Sequence, residues 1–175
     1  MKRMLLPVTL LVCLVAGLAS AARAQAVFES VSGDAFAKAI PNDFYLEGTR
    51  IPVNKNNAAL LKNAKGGRVV LATLDTTGYS SQIQQKYTGM LISETHLSVC
   101  GVAIGVGSYG FGLDRPKPPS TADAKFNIYN QAGAKVGSCA VKYDASVEQP
   151  KPLSVSAPKD GPTRVYLGKY GVELK

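Results

Sequence analysis

The sequence predicts an all-β domain, mainly antiparallel, folded as a β-sandwich or barrel with at most one or two short helices. Three observations predict this class: seven or more short runs with strand character, frequent turn signals between them, and only two brief helical patterns. With 46% hydrophobic and 18% charged residues, the composition is that of a folded domain and not of a disordered chain. Short strands joined by frequent turns are typical of sandwiches and barrels.

The start of the chain has the pattern of a secretory signal peptide. A short positive segment precedes an apolar run from Leu5 to Leu18, and an A-x-A cleavage pattern ends at Ala24, with a cut after Ala26 as the alternative. The run is shorter than the roughly 20 residues that cross a bilayer. We expect a signal peptide over residues 1–24, a single β-rich domain over residues 25–175, no membrane span, and a periplasmic or extracellular location.

Helical and strand patterns alternate in the N-terminal half. The segment from Gly33 to Ile40 is helical and ends before a proline. Phe44 to Val53, with Gly48 near its middle, predicts a bent strand or a hairpin. Arg68 to Leu74 is an apolar strand between turn residues, and Ser80 to Tyr87 fits a capped helix or a strand.

The C-terminal half is a succession of strands. Asn130 to Gly133 has the length of a hairpin loop, and two proline-bearing stretches, Arg115 to Ala124 and Gln149 to Pro162, must be loops. The predicted strands are Tyr87–Ser93, Leu97–Val99, Val102–Leu113, Lys125–Tyr129, Ala134–Tyr143 and Arg164–Leu174. Along the last of these, alternation places Tyr166, Tyr170, Val172 and Leu174 on one face, so we expect an integral strand of the sheet.

Cysteine usage agrees with export. Cys13 belongs to the leader, and the remaining pair, Cys100 and Cys139, predicts a disulfide in an oxidising compartment. No C-x-x-C redox motif is present, and two cysteines with one histidine do not complete a zinc shell without carboxylates. A disulfide between Cys100 and Cys139 would raise the free energy of unfolding by roughly 4 kcal/mol. We therefore expect a structural disulfide and no metal site.

The charge pattern argues against a nucleic-acid site. The formal charge of +8 falls to +5 when the three basic residues of the leader are removed, and the remaining basic residues are scattered. Nucleic-acid binders concentrate such charge on one stripe, often beside stacking aromatic residues. Weak attraction to anionic envelope polymers is compatible with this surface.

Motifs for catalysis or cofactor binding are few. Gly105, Gly107 and Gly110 match the pattern G-x-G-x-x-G of dinucleotide sites. A strand and prolines follow this pattern where a dinucleotide site needs a helix, so no cofactor is expected. His96 lies in a polar turn without a nucleophile elbow, so no catalytic residue is assigned. The carboxylates available for a site formed only in the fold are Glu47, Glu94, Asp114 and Asp144.

Two features could contact a ligand or partner. Tyr79 lies in a small polar turn, where binding residues often occur, although anchoring to the core is the simpler interpretation. Ser108, Gly110 and Gly112 lie opposite Tyr109 on one strand and form a strip of small residues. Either the glycines only permit a bulge or a strong twist, or the strip admits a backbone, an aromatic ring or a ligand.

Two segments carry a resemblance to exported bacterial β-domains. Leu97 to Leu113, LSVCGVAIGVGSYGFGL, resembles a hairpin of such proteins, and the closing PLSV…RVYLGKYGVEL resembles their C-terminal end. The chain is thus similar to a family of small exported bacterial β-domain proteins of uncharacterised function. The likeness implies the fold class and no activity or site residue.

Three functions remain as hypotheses. The first is an exported non-catalytic β-domain that binds a partner protein, an envelope polymer or a small ligand. The second is a small secreted hydrolase whose carboxylates converge near His96. The third is a structural or assembly subunit that pairs through an open strand edge, with a homo-oligomer as one form. A concave pocket of carboxylates around His96 would favour the hydrolase, and a shallow tyrosine-lined face would favour binding.

Overall fold

The computed structural model describes residues 28–158 and 161–175, and the predicted leader lies outside these ranges. The described chain is mostly antiparallel β-structure in two sheets, which confirms the predicted all-β, sandwich-like class. Its two short helices are α1 (Asp34–Ala39) and α2 (Ser81–Lys86), close to the predicted segments. Among the residues described, no helix is long and apolar enough to cross a bilayer.

Thirteen strands follow one another within the described ranges. They are β1 (Phe28–Val31), β2 (Asp43–Leu46), β3 (Thr49–Asn63), β4 (Arg68–Leu74), β5 (Gly89–Ser93), β6 (Leu97–Val99), β7 (Val102–Ile104), β8 (Gly107–Asp114), β9 (Ala124–Asn130), β10 (Lys135–Val141), β11 (Ser154–Ser156), β12 (Thr163–Leu167) and β13 (Tyr170–Leu174). The first sheet has the order β1-β3-β4-β5-β8-β9-β10, with β2 paired to β3, and the second has the order β11-β12-β13-β6-β7.

An apolar core fills the space between the two sheets. Leu71, Leu91 and Phe111 of the first sheet belong to one buried cluster with Val165 and Val172 of the second. These residues alternate with more exposed positions along β12 and β13, as expected for strands with one buried face. Burial of this shared face is what holds the sheets together.

The opposite face of the first sheet is also covered, by α2 and the β2–β3 hairpin. Leu46 and Ile51 from the hairpin and Ile83 from α2 form a second buried cluster with Met90 of β5. Because both faces of β4 are covered, its sequence is a continuous apolar run rather than an alternating one. We call this second packed layer the outer cover.

A polar clamp closes the outer cover, formed by Glu47, Lys86, Tyr87 and Tyr129. The Lys86 ammonium donates to the Glu47 carboxylate and to the Gly133 carbonyl, and it lies 5.2 Å and 5.0 Å from the ring centres of Tyr87 and Tyr129. The Tyr87 hydroxyl donates to Glu47 at 2.7 Å. Hydrogen bonding from Lys86 lowers the pKa of Glu47, and burial, followed by the bond to Glu47, raises the pKa of Tyr87.

Several predicted local structures are confirmed. The Ser80 hydroxyl accepts from the Ile83 amide at 3.4 Å and caps α2, which settles that segment as helix. Phe44 to Val53 is a hairpin, with Gly48 at its turn in a left-handed conformation. Asn130 to Gly133 joins β9 and β10, and the Asn130 side chain accepts from the Ala134 amide.

The strand predicted from Val102 to Leu113 is wrong as a single element. The chain leaves β7 in the second sheet and enters β8 in the first, and the break falls at Gly105–Val106. Gly107 has φ = 154°, a backbone conformation that L side chains rarely adopt. A continuous apolar pattern concealed this crossing between sheets because both halves bury apolar residues.

The strand predicted from Arg164 to Leu174 is a hairpin instead. Gly168 turns the chain with φ = 68°, and Leu167 pairs with Tyr170 across the turn. Tyr170, Val172 and Leu174 are buried as predicted, in a strand that pairs with both β12 and β6. Tyr166, however, lies on the opposite face, because the turn resets the alternation that the sequence suggested.

The length of β3 was not predicted from the sequence. Its second half, Asn54 to Asn63, has four asparagines and two lysines, which are poor strand formers. This half pairs with β4 and β1, with a register shift between Asn54 and Ala58. Pairing on both edges, rather than intrinsic preference, makes this segment a strand.

Candidate functional site

The predicted disulfide joins the two sheets. Cys100 follows β6 of the second sheet and Cys139 lies in β10 of the first, and their sulfur atoms lie at bonding distance with Cα atoms 6.2 Å apart. Val102 packs against Gly137 beside this link, where an added Cβ would lie 2.5 Å from the valine. The disulfide therefore fixes the edge strand of the first sheet to the β6–β7 hairpin.

In the strip of Ser108, Gly110 and Gly112, the two glycines are covered by the protein's own chain, and Ser108 is half-buried. An added Cβ at Gly110 would lie 2.7 Å from the Tyr87 ring, and one at Gly112 would lie 2.1 Å from the Lys86 carbonyl oxygen. Of the two interpretations, the strip therefore admits a backbone and an aromatic ring, both supplied by the end of α2, and the two glycines are buried there rather than open to a ligand. Their role here is to permit that close approach.

Tyr79 is tied to the hairpin of the outer cover. Its hydroxyl donates to the Arg50 carbonyl at 2.7 Å, and its partly buried ring packs against the second buried cluster. The structure therefore places it as an anchor of the turn before α2.

His96 and the candidate carboxylates lie in separate places. The exposed imidazole makes no hydrogen bond to any described residue, and the neighbouring Glu94 is bound by Arg68 at 2.7 Å. Each remaining carboxylate has its own partner: Glu47 belongs to the clamp, Asp114 accepts from Asn127, and Asp144 accepts from Ser146 and Tyr166. Within the described ranges, no three His, Cys, Asp or Glu side chains form a group that could hold a metal.

A groove lies on the outer side of the second sheet. One edge of β13 pairs with β12 along its length, whereas the other edge has two neighbours: the end of β6 near Leu174, and a bridge to Tyr143 near Tyr170. The groove is lined by residues of both neighbours, by outer positions of β12 and β13, and by Cys100 of the disulfide. It is a concave surface that the sequence did not predict.

Gly171 and Tyr166 line the groove side by side. They pair across the β12–β13 hairpin, and a Cβ at Gly171 would lie 3.0 Å from the Tyr166 ring. The glycine thus lets the ring lie close to the neighbouring strand. Tyr143 also lines the groove, and its ring lies edge-on to that of Tyr170, with 75° between the two ring planes.

Asp144 is held in place at one side of the groove. Its Oδ1 accepts from the backbone amide and hydroxyl of Ser146, and its Oδ2 accepts from the Tyr166 hydroxyl at 3.0 Å. Hydrogen bonds from Ser146 and then Tyr166 lower the pKa of Asp144, so this carboxylate is ionised at neutral pH. Burial and the bond to Asp144 raise the pKa of Tyr166, which stays protonated.

Charges of both signs surround the tyrosines. Arg164 and Lys142 line the groove, are exposed, and form no ion pair with any residue that the structure describes. Glu173 also lines it, and its Oε1 pairs with the Lys175 ammonium at 2.7 Å. The groove can therefore bind both an anionic group and hydrogen-bond donors.

Sequence reasoning missed this site for a definite reason. It assigned Tyr166 to the buried face and named Asp144 only as one of four scattered carboxylates, because Asp144 and Tyr166 are about 20 positions apart and meet only when the chain folds. One local signal was present: Asp144 followed two residues later by Ser146 is a pattern of side-chain-capped turns. No family model, no curated protein and no solved structure matches this chain, so the resemblance to exported bacterial β-domains stays a prediction from its motifs.

Proposed function

We propose that this chain is an exported, non-catalytic β-domain that binds an envelope polymer through the groove on the second sheet. The observation that carries the proposal is the groove itself, where Tyr143 and Tyr166 lie beside charged groups of both signs and Asp144 is held in place by Tyr166. A concave surface with aromatic residues and a few placed polar groups is the usual form of a ligand site.

The arrangement of carboxylates favours binding over hydrolysis. Asp144 is engaged by Tyr166 and Ser146, and Glu173 is paired with Lys175. The pKa of Asp144 is lowered, whereas a general acid for hydrolysis needs a raised one. His96, the centre of the hydrolase hypothesis, does not line the groove.

Backbone NMR of the labelled protein tests this proposal. Tetragalacturonate, chitotetraose and tetraglutamate would be titrated separately, and we expect at least one probe to shift amide signals at Ser98, Gly101 and Gly171. The variant Ser98→Tyr places a bulky ring at a half-buried outer position in the groove and should abolish these shifts. Ser30→Tyr, at an exposed position of β1, is the matched control and should leave them unchanged.

Two results would overturn the proposal. In one, none of the probes changes signals in the groove. In the other, the shifts persist in Ser98→Tyr, or they map to the edge of β10, which would favour the assembly hypothesis.

A further inference from the structure

The chemistry of the groove identifies a class of ligand. Arg164 and Lys142 offer positive charge, and neither forms an ion pair with a described carboxylate, although Arg164 lies near Asp144 and Tyr166. A guanidinium presents paired N–H groups that match the two oxygens of a carboxylate. One anionic group on the ligand would complete this side of the groove.

The groove also offers acceptors. A carboxylate has about four lone-pair sites, and Asp144 uses two on Oδ1 and one on Oδ2, which leaves one site for a donor. Glu173 has one oxygen paired to Lys175, and its second oxygen accepts no hydrogen bond from a described residue. These acceptors suit hydroxyl groups and repel closely spaced phosphates, so a polyphosphate or nucleic-acid backbone fits poorly.

An extended peptide fits less well than a sugar. Strand addition needs consecutive free backbone groups along a sheet edge. Here the edge of β13 is already occupied at both ends: Ser98 exchanges two hydrogen bonds with Lys175, and the Asp144 amide donates to the Lys169 carbonyl. Recognition in the groove must therefore use side chains.

Resting on the proposed function, we infer that the groove binds an acidic sugar unit of a polysaccharide. Its carboxylate pairs with the Arg164 guanidinium, its hydroxyl groups donate to the Asp144 and Glu173 carboxylates, and its ring packs against Tyr166. Such a sugar carries on one small ring both the anionic group that would pair with Arg164 and the hydrogen-bond donors that would satisfy Asp144 and Glu173.

Titration calorimetry with tetragalacturonate, and with chitotetraose as the neutral probe of equal length, tests this inference. Arg164→Gln should weaken tetragalacturonate binding by about tenfold or more. Arg164→Lys keeps the charge and loses the paired geometry, so its affinity should lie between those of the unchanged protein and Arg164→Gln. Lys55→Gln removes one exposed positive charge from β3, outside the groove, and should leave binding unchanged. Thermal melting confirms that each variant is folded.

The alternative outcomes separate this inference from the function on which it depends. Equal binding of the neutral tetrasaccharide, unaffected by Arg164→Gln, overturns the acidic-sugar inference and leaves a groove that binds glycans. Arg164-dependent binding of tetraglutamate in place of the sugar overturns it in favour of an acidic peptide. If Lys55→Gln loses as much affinity for tetragalacturonate as Arg164→Gln does, the attraction is unspecific and the acidic-sugar inference is overturned. If no probe binds, both the inference and the proposed function are overturned.

Discussion

The two faces of the first sheet are packed by different means. The face toward the second sheet is apolar, and a disulfide between Cys100 and Cys139 ties its edge. In the outer cover, short elements lie directly on the sheet. The end of α2 contacts β8 at Gly110 and Gly112, and Lys86 at that same end belongs to the polar clamp. Two sheets packed face to face stand about 10 Å apart and fill that space with side chains, whereas a backbone in contact with a strand needs residues without them.

This comparison predicts that loss of the inter-sheet face is the most damaging change. Ending the chain at Gly168 removes β13, whose buried Tyr170, Val172 and Leu174 contribute roughly 1.5–3 kcal/mol each. It also removes the strand that joins β12 to β6. We expect an unfolded protein by circular dichroism, and a truncated chain that melts like the full one would contradict this.

The disulfide should give the next largest effect. Replacing both Cys100 and Cys139 by serine should lower the free energy of unfolding by roughly 4 kcal/mol, because the cross-link restricts the unfolded chain. Urea unfolding measures this loss, and reduction of the unchanged protein should reproduce it. Thiol titration of the denatured, unreduced protein checks the bond itself, and two free thiols would show that it is absent.

On the outer cover, Gly112→Ala should lower the free energy of unfolding by about 1–3 kcal/mol. Its Cβ would lie 2.1 Å from the Lys86 carbonyl oxygen, so the backbone must move. Gly105→Ala is the matched control, because its Cβ would meet only ordinary contacts at 3.9 Å. The two unfolding free energies, measured in urea, should therefore differ clearly. Equal values would mean that α2 does not rest on β8 in solution.

The clamp should give a smaller effect than the three changes above, with a distinctive pH dependence. Glu47→Gln keeps an acceptor for Tyr87 and removes the charge paired with Lys86, so we expect a loss of about 1 kcal/mol at neutral pH for this partly exposed pair. The lowered pKa of Glu47 means that its contribution is present above the unfolded value of 4.5 and disappears as the pH falls through the folded value. The difference between the two proteins should shrink accordingly in acid.

The control for this pH experiment is an exposed ion pair at another place. Glu94→Gln removes the partner of Arg68, and both side chains are about half exposed. This change should alter stability less than Glu47→Gln does, because solvent screens the pair more strongly. A stability difference from Glu47→Gln that stays constant through acid pH would show that the charge does not act through Lys86.

The sequence by itself determined the features that depend on neighbours along the chain. It predicted the all-β class and the burial of β13, and it included the hairpin around Gly48 and the capped helix after Ser80 among its alternatives, since periodicity, turn chemistry and caps are local. It also predicted the pairing of Cys100 with Cys139, because only two cysteines follow the predicted leader.

Only the tertiary structure decided which sheet each strand joined and what covered each face. A turn at Gly168 changed the face of Tyr166, and a crossing near Gly105 divided one apolar run between two sheets. The sequence left open what lies over Gly112, and in the fold it is the Lys86 carbonyl at the end of α2. The groove around Tyr166 and Asp144 arises from the same cause: residues far apart in the chain become neighbours through strand pairing, which local periodicity does not encode.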